Sequence, residues 1–193
     1  MDHHDHVRLI ADGVQGAGPL WLELGAGDGA FTLALADLLG AGARIVALDR
    51  DAASLARLER DLARTFPGRD LETVVGDFRS AIPDGPFDGA LAANSLHFVE
   101  DPAAVLRRVA AVLRPGGRVI VVEYDADRGN QWVPHPFSAR RFPELAAAAG
   151  FRNAREIGRV PSRFLGAIYA AVAEMGVRAR PPGSAHDTSI DTS

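Results

Sequence analysis

Short runs of apolar residues alternate along the chain with longer stretches in which apolar positions recur every three or four residues. That alternation predicts βαβ units on a parallel sheet. The first run, Leu20–Leu24, ends at a glycine-rich turn and predicts strand one. Residues 30–39 have helical spacing and stop at Gly40, a suitable C-terminal cap. A second strand is predicted over 44–48, then a helix over 51–66 with Leu55, Leu58 and Leu62 on one face. Strands over 71–75 and 87–93 come next, followed by a helix over 102–113. Arg114-Pro-Gly-Gly predicts a sharp turn into a β-branched, apolar strand over 118–124, central in the sheet. A helix over 142–149 ends at Gly150. Extended segments over 154–159 and 164–172, joined by 160–163, predict an antiparallel pair closing the sheet, although the second segment also fits a helix. From residue 178 the composition turns to Pro, Gly, Ser, Thr and Asp, which predicts a disordered tail over 178–193 behind a single domain over 1–177.

Composition narrows the function classes. With 193 residues, 47% hydrophobic and a net charge of −4, the chain is that of one globular domain. An acidic balance without a basic stripe argues against nucleic-acid binding. The apolar runs are too short to span a membrane, and the first residues, Met-Asp-His-His-Asp-His, lack the pattern of a secretion signal. The expectation is a cytoplasmic protein, monomer or homodimer. There is no cysteine, hence no disulfide, thiolate metal site or cysteine nucleophile. All 21 basic residues are arginine, which removes a P-loop lysine and a lysine Schiff base.

Four chemical signals fall at the carboxyl ends of predicted parallel strands, where ligands of open α/β sheets bind. The first is Glu23-Leu24-Gly25-Ala26-Gly27-Asp28-Gly29, between a strand and a helix. Glycines let backbone approach a ligand, and the carboxylates of Glu23 and Asp28 suit a ligand with a cationic end better than a pyrophosphate. The bland alternative is a tight turn without a ligand. The second is Asp49, 24 residues after Gly25 and followed by Arg50, placed to accept from ribose hydroxyls. Its competing role is a helix cap, although Asp51 can cap while Asp49 binds. The third is Gly76-Asp77-Phe78, a carboxylate beside an aromatic ring that suits a purine, or simply a turn. The fourth is Asn94-Ser95-Leu96-His97.

Taken in order, Glu23-x-Gly25-x-Gly27-x-Gly29, Ala47-Leu48-Asp49, Gly76-Asp77-Phe78, Phe87-Asp88 and Leu113-Arg114-Pro115-Gly116-Gly117 resemble the class I S-adenosylmethionine-dependent methyltransferases. The resemblance runs from residue 20 to 123. It implies a Rossmann-like, doubly wound, mostly parallel seven-stranded sheet of order 3-2-1-4-5-7-6 with helices on both faces. It also implies S-adenosylmethionine as cofactor, with Gly25, Ala26 and Gly27 near its methionine and ribose portions. By the same resemblance Glu23 meets the amino group, directly or through water, Asp49 with Arg50 the ribose, Asp77 with Gly76 and Phe78 the adenine, and Asn94 the methionine end. The N-terminal segment, 1–18, becomes an arm or helix that is a candidate lid.

A sulfonium methyl is already activated, so alignment of an acceptor is the main task and a base serves only acceptors that lose a proton. The candidate bases are His97, His135 and Tyr124, with Asp125 beside the last; His97 is also explained as a packed or helix-start histidine. The loop 130–137, rich in aromatics and prolines, is a candidate substrate wall or a rigid connector. Arg163 and Phe164, before the last strand, face the same rim. Asp2, His3, His4, Asp5 and His6 form a solvated arm more readily than a closed metal site, and no metal is expected. The absence of a large insertion points to a small-molecule acceptor. Two rival functions stand beside methyl transfer: a nicotinamide-dependent oxidoreductase, which Gly25-x-Gly27-x-x-Ala30 also fits, and a non-catalytic cofactor-binding protein. Against the first, there is no Tyr-x-x-x-Lys pair.

Overall fold

The computed structural model describes residues 1–176. Helix α1 (His3–Val14) leads into strand β1 (Leu20–Leu24), helix α2 (Ala30–Leu39) and strand β2 (Arg44–Asp49). Helix α3 (Ala52–Thr65), strands β3 (Asp70–Val75) and β4 (Phe87–Ala93), and helix α4 (Pro102–Val112) follow. The chain then forms β5 (Leu113–Tyr124), α5 (Phe142–Ala148), β6 (Phe151–Ser162) and β7 (Gly166–Met175). The seven strands form one sheet in the expected order, β3-β2-β1-β4-β5-β7-β6. The first five are parallel, and β7 runs antiparallel to both β5 and β6.

Strand alternation divides the core into two layers. Leu22, Leu24, Val46, Leu48, Ala90, Ala92, Val119 and Val121 pack on the side of α4 and α5, against Val105, Leu106, Val109 and Phe142. Their neighbours Trp21, Ile45, Ala47, Leu91, Ile120 and Val122 pack on the opposite side, against Leu9 and Ile10 of α1, Leu35 of α2 and Leu58 of α3. Both faces are covered, which is why these strands are apolar without a polar beat.

The structure departs from the sequence-based expectations in three places. Arg114-Pro-Gly-Gly is a wide irregularity within β5: Leu113 pairs with Phe87 and Arg118 with Gly89, so the intervening residues bulge from the ladder. The closing hairpin is longer than expected and turns at residues 163–165, with Ser162 opposite Gly166. The polar residues of β6 hide it from a hydrophobic-run criterion, since β6 is an exposed edge strand. The N-terminal segment takes the helix alternative of its expectation, and that helix is docked on the sheet where its histidine-rich start was expected to be solvated. Asp2 caps α1 in a reciprocal capping box with Asp5, and Leu9, Ile10 and Val14 are buried. The expected tail over 178–193 lies outside the described residues. No described helix is long and apolar enough to cross a membrane.

Candidate active site

The carboxyl ends of β1, β2, β3 and β4 open onto one cleft of about 440 Å³. Gly25, Gly27, Asp49, Arg50, Gly76, Asp77, Phe78 and Asn94 all line it. It lies where the chain order reverses, between β1 and β4, the switch point at which such sheets leave a crevice. The loop after β1 is held by Gly25 and Ala26 N–H groups donating to the Leu48 carbonyl at 2.8 and 3.2 Å. Gly25 and Gly27 have φ of 74° and 53°, in the left-handed region that glycine tolerates. A Cβ on Gly25 would stand 2.7 Å from Ser95 Cβ, whereas one on Gly27 would meet nothing within 4 Å. Gly25 is thus needed for packing, and Gly27 leaves open space above the loop.

Asp49 organises the wall of the cleft at the end of β2. Its Oδ2 accepts from Gly27 N–H at 2.8 Å and its Oδ1 from Asp51 N–H at 2.8 Å. The Asp49 carbonyl accepts from Gly76 N–H at 2.9 Å, which ties the third loop to the second. Asp51 caps α3 by accepting from Ala53 N–H. Asp77 is paired with Arg79, whose Nε stands 2.9 Å and Nη2 2.5 Å from Asp77 Oδ2. The hydrogen bonds from Arg79 hold the Asp77 carboxyl below the ordinary carboxylate range. Asn94 has a φ of 51°, its N–H donates to Val122 O at 2.8 Å, and its Oδ1 is buried without a partner.

Three expected participants stand elsewhere. Glu23 is 1% exposed and accepts from Thr32 Oγ1 of α2 at 2.5 Å. Strand alternation sends its carboxylate sideways under α2 instead of up into the cleft. Burial, with the Asp49 charge adding to it, raises its pKa to about 8. Ala26 is buried below the loop. Asp28 is taken by Arg57 of α3, whose Nε donates to Oδ1 at 2.9 Å. The cationic-end carboxylates expected from the glycine loop therefore serve the scaffold.

The candidate bases separate as well. His97, in a single 3₁₀ turn (Leu96–Phe98), is 3% exposed and does not line the cleft. Its Nδ1 is 2.7 Å from Glu123 Oε2, and its N–H donates to Glu123 Oε1 at 3.1 Å. Tyr124 is half-buried, and burial with the Glu123 charge raises its pKa. His135 is exposed and lines a separate cavity of about 200 Å³ with Glu100, Asp127 and Arg141. The N-terminal residues lie apart too: His3 pairs with Asp37 and His6 meets the Phe31 ring at a tilt. Among the described residues no three His, Asp or Glu groups gather as a metal site requires.

Sequence reasoning missed Ser54, Arg79 and Phe98 in the cleft lining, and named Ser95 only as part of the Asn94–His97 signal. Arg79 carried a signal: a cation two positions after Asp77 can pair with its carboxylate, and the Arg79 backbone N–H also closes an Asx turn on Asp77 Oδ1 at 2.9 Å.

Comparison with known proteins gives the same picture. Residues 22–121 match a family model described as a methyltransferase domain. The chain is 35% identical over 130 residues to a demethylmenaquinone methyltransferase of Mycolicibacterium vanbaalenii, covering 66% of this chain and 52% of that protein. It is 29% identical over 182 residues to the 27-O-demethylrifamycin SV methyltransferase of Amycolatopsis mediterranei, covering 90% of this chain and 58% of the other. A crystal structure of the 1,6-didemethyltoxoflavin-N1-methyltransferase of Burkholderia thailandensis, with 1,6-didemethyltoxoflavin and S-adenosylhomocysteine bound, superposes with a TM-score of 0.68 at 25% identity. That superposition covers 89% of this chain and 78% of the other. The chain spans about half or less of the length of the first curated relatives it matches.

Proposed function

The chain belongs to the class I S-adenosylmethionine-dependent methyltransferase family, and from that premise we propose that it methylates a small-molecule acceptor by in-line transfer. The observation that carries the reading is the convergence of Gly27, Asp49, Asp77 and Asn94 on one cleft from four separate strand ends. When bound, S-adenosylmethionine supplies a methyl group on a positively charged sulfur, an electrophile that needs alignment more than activation.

The residues present fit that group. Asp49 keeps lone pairs beyond the two backbone bonds it accepts, because an ionised carboxylate has about four acceptor sites. It is the acceptor for both ribose hydroxyls, with Arg50 at the rim. Asp77 shares its remaining lone pairs with the adenine amino group while Arg79 holds it in place, and Phe78 and Gly76 border the ring. Gly25 and Gly27 let backbone run beneath the ligand. With Glu23 and Asp28 engaged elsewhere, the unpartnered Asn94 Oδ1 is the acceptor that meets the ammonium of the methionine portion. A buried acceptor without a donor costs about 1–3 kcal/mol, which an incoming N–H removes.

Calorimetric titration with S-adenosylmethionine and, separately, NAD tests the assignment. Saturable binding of the first and none of the second is expected. Binding of NAD alone ends the proposal. Tight cofactor binding without turnover of any acceptor in a broad panel would instead favour a cofactor-binding protein without catalysis.

A further inference from the structure

Asp51, Ser54 and Arg57 stand three positions apart at the start of α3, so their side chains rise along one face of that helix. Asp51 is the cap. The buried Ser54 donates from Oγ to Asp51 Oδ2 at 3.0 Å and accepts from Arg57 Nη2 at 2.7 Å. The same guanidinium reaches across to the glycine loop. Its Nε donates to Asp28 Oδ1 at 2.9 Å, and Nη2 stands 2.7 Å from that oxygen. Asp28 follows Gly27, whose N–H donates to Asp49 Oδ2, while Asp51 N–H donates to Asp49 Oδ1. The contacts therefore close on themselves, running from Asp28 through Arg57, Ser54, Asp51, Asp49 and Gly27 back to Asp28.

Neither Arg57 nor Asp28 lines the cleft, yet the ring of contacts runs through the Asp49 carboxylate that does. The two N–H groups that grip Asp49 come from the two segments that Arg57 ties together, so the guanidinium sets the gap between them. A carboxylate held by one N–H on each oxygen has a fixed plane, and its remaining lone pairs have a fixed direction. Apolar packing brings the same two segments together, since a Cβ on Gly29 would overlap Leu58 of α3. That packing is non-directional and does not orient a carboxylate. Three carboxylates, Asp28, Asp49 and Asp51, also crowd this edge, and like charges push the loop and the helix apart. Arg57 opposes that repulsion. Its hydrogen bond holds the Asp28 carboxyl below the ordinary carboxylate range, and its charge faces Asp51 as well.

Resting on the assignment of Asp49 to the ribose of S-adenosylmethionine, we propose that Arg57 is a positioning residue for that site: by tying Asp28 of the glycine loop to Ser54 at the start of α3, it fixes the direction in which Asp49 meets the ribose hydroxyls. Arg57 acts from outside the cleft, through Asp49. Asp28 and Ser54 are the two ends of the same clamp, which gives the second carboxylate of the glycine loop a task that its sequence position alone does not reveal.

The first test needs no ligand. The carbon-13 resonance of the Asp49 side-chain carboxyl, identified by its loss in Asp49→Ala, reports the grip of the two N–H groups in the full chain. Arg57→Met, which keeps a straight helix-forming side chain, is expected to move that resonance while the chain still melts cooperatively. Calorimetric titration with S-adenosylhomocysteine follows. Arg57→Met should weaken binding by about twofold to fivefold, the scale of a half-exposed ion pair. Asp28→Asn cuts the same link from its other end and should do the same, and the double variant should be no worse than either single one. With the 2′,3′-dideoxyribose analogue of S-adenosylhomocysteine, or in an Asp49→Ala background, Arg57→Met should cost nothing further, because the groups it acts through are gone. An Arg57 that served stability alone would weaken both ligands by the same factor. An unmoved Asp49 resonance in Arg57→Met overturns the proposal. So does undiminished binding of S-adenosylhomocysteine, or an equal loss with the dideoxy analogue. Should Arg57→Met unfold, Asp28→Asn carries every arm. Failure of the parent to bind S-adenosylhomocysteine would instead count against the methyl-transfer reading, and the resonance would still decide whether Arg57 orients Asp49.

Discussion

Two carboxylates at neighbouring strand ends do opposite work, and the difference is a matter of direction and solvent. Asp49 is partly exposed and accepts two backbone N–H bonds, so its charge is supported and available. Removing it in Asp49→Ala is expected to weaken S-adenosylmethionine binding at least about tenfold, since charge-assisted bonds are worth about 1.5–3 kcal/mol; titration calorimetry reads the change. Glu23 is sealed under α2, and its pKa of about 8 lies above the 4.5 of an ordinary glutamate. The folded state therefore holds a proton that the unfolded chain gives up between those two values. Stability contributed at this site is fully present below the lower value and falls as pH rises through the window. Glu23→Gln, a neutral isostere that still accepts from Thr32, should flatten that fall. Near pH 7 it should stabilise the fold by roughly 3 kcal/mol relative to the parent, measured as the difference in denaturant unfolding between acidic and neutral pH. A variant with the same pH slope as the parent would show that Glu23 is ionised in the fold.

At the level of elements, the parts that were legible in the sequence are those specified by neighbours along the chain. The apolar runs of β1, β2, β4 and β5, the caps at Asp51 and Gly40, and the glycine loop all depend on local rules, and the sheet order is the one that the family resemblance implied. What was not legible depends on residues far apart. Whether the Glu23 carboxylate points up or sideways depends on how α2, which carries Thr32, docks on the sheet, and the His97–Glu123 pair joins residues 26 positions apart. The edge strand β6 carries Arg152, Arg155 and Arg159 where a buried strand would carry apolar residues. Helix α1 is the clearest case, because its amphipathic face became visible only with its partners. It packs on the α2 side of the sheet, where Ile10 is wholly buried and Arg118 Nη1 donates to the Gln15 carbonyl at 2.8 Å. Ile10→Ala should therefore cost about 2–5 kcal/mol in denaturant or thermal unfolding, the range for a buried large-to-small change. An exposed arm would lose almost nothing.

For the molecule as a whole, the cleft and the core are separable, because the cleft is built from strand ends and loops above a sheet already closed on both faces. Gly27 is the sharpest place to separate them. No atom lies within 4 Å of its Cβ position, so a side chain there fills ligand space while the core stays intact. Gly27→Val is expected to abolish S-adenosylmethionine binding in a chain that still melts cooperatively, with some loss of stability from the φ of 53°. The same separability makes the cofactor a stabiliser by mass action. At a hundredfold excess over its dissociation constant it adds about 2.7 kcal/mol, a rise of roughly 5–10 °C in Tm for a domain of this size. Asp49→Ala, with tenfold weaker binding at that same concentration, should keep about half of the rise, because RT ln(1 + 10) is about 1.4 kcal/mol. Gly27→Val should keep none of it, and NAD should raise the parent not at all. Differential scanning fluorimetry of the three chains orders them parent, Asp49→Ala, Gly27→Val. A cofactor-induced rise in Gly27→Val equal to that of the parent would mean that the ligand sits elsewhere on the molecule.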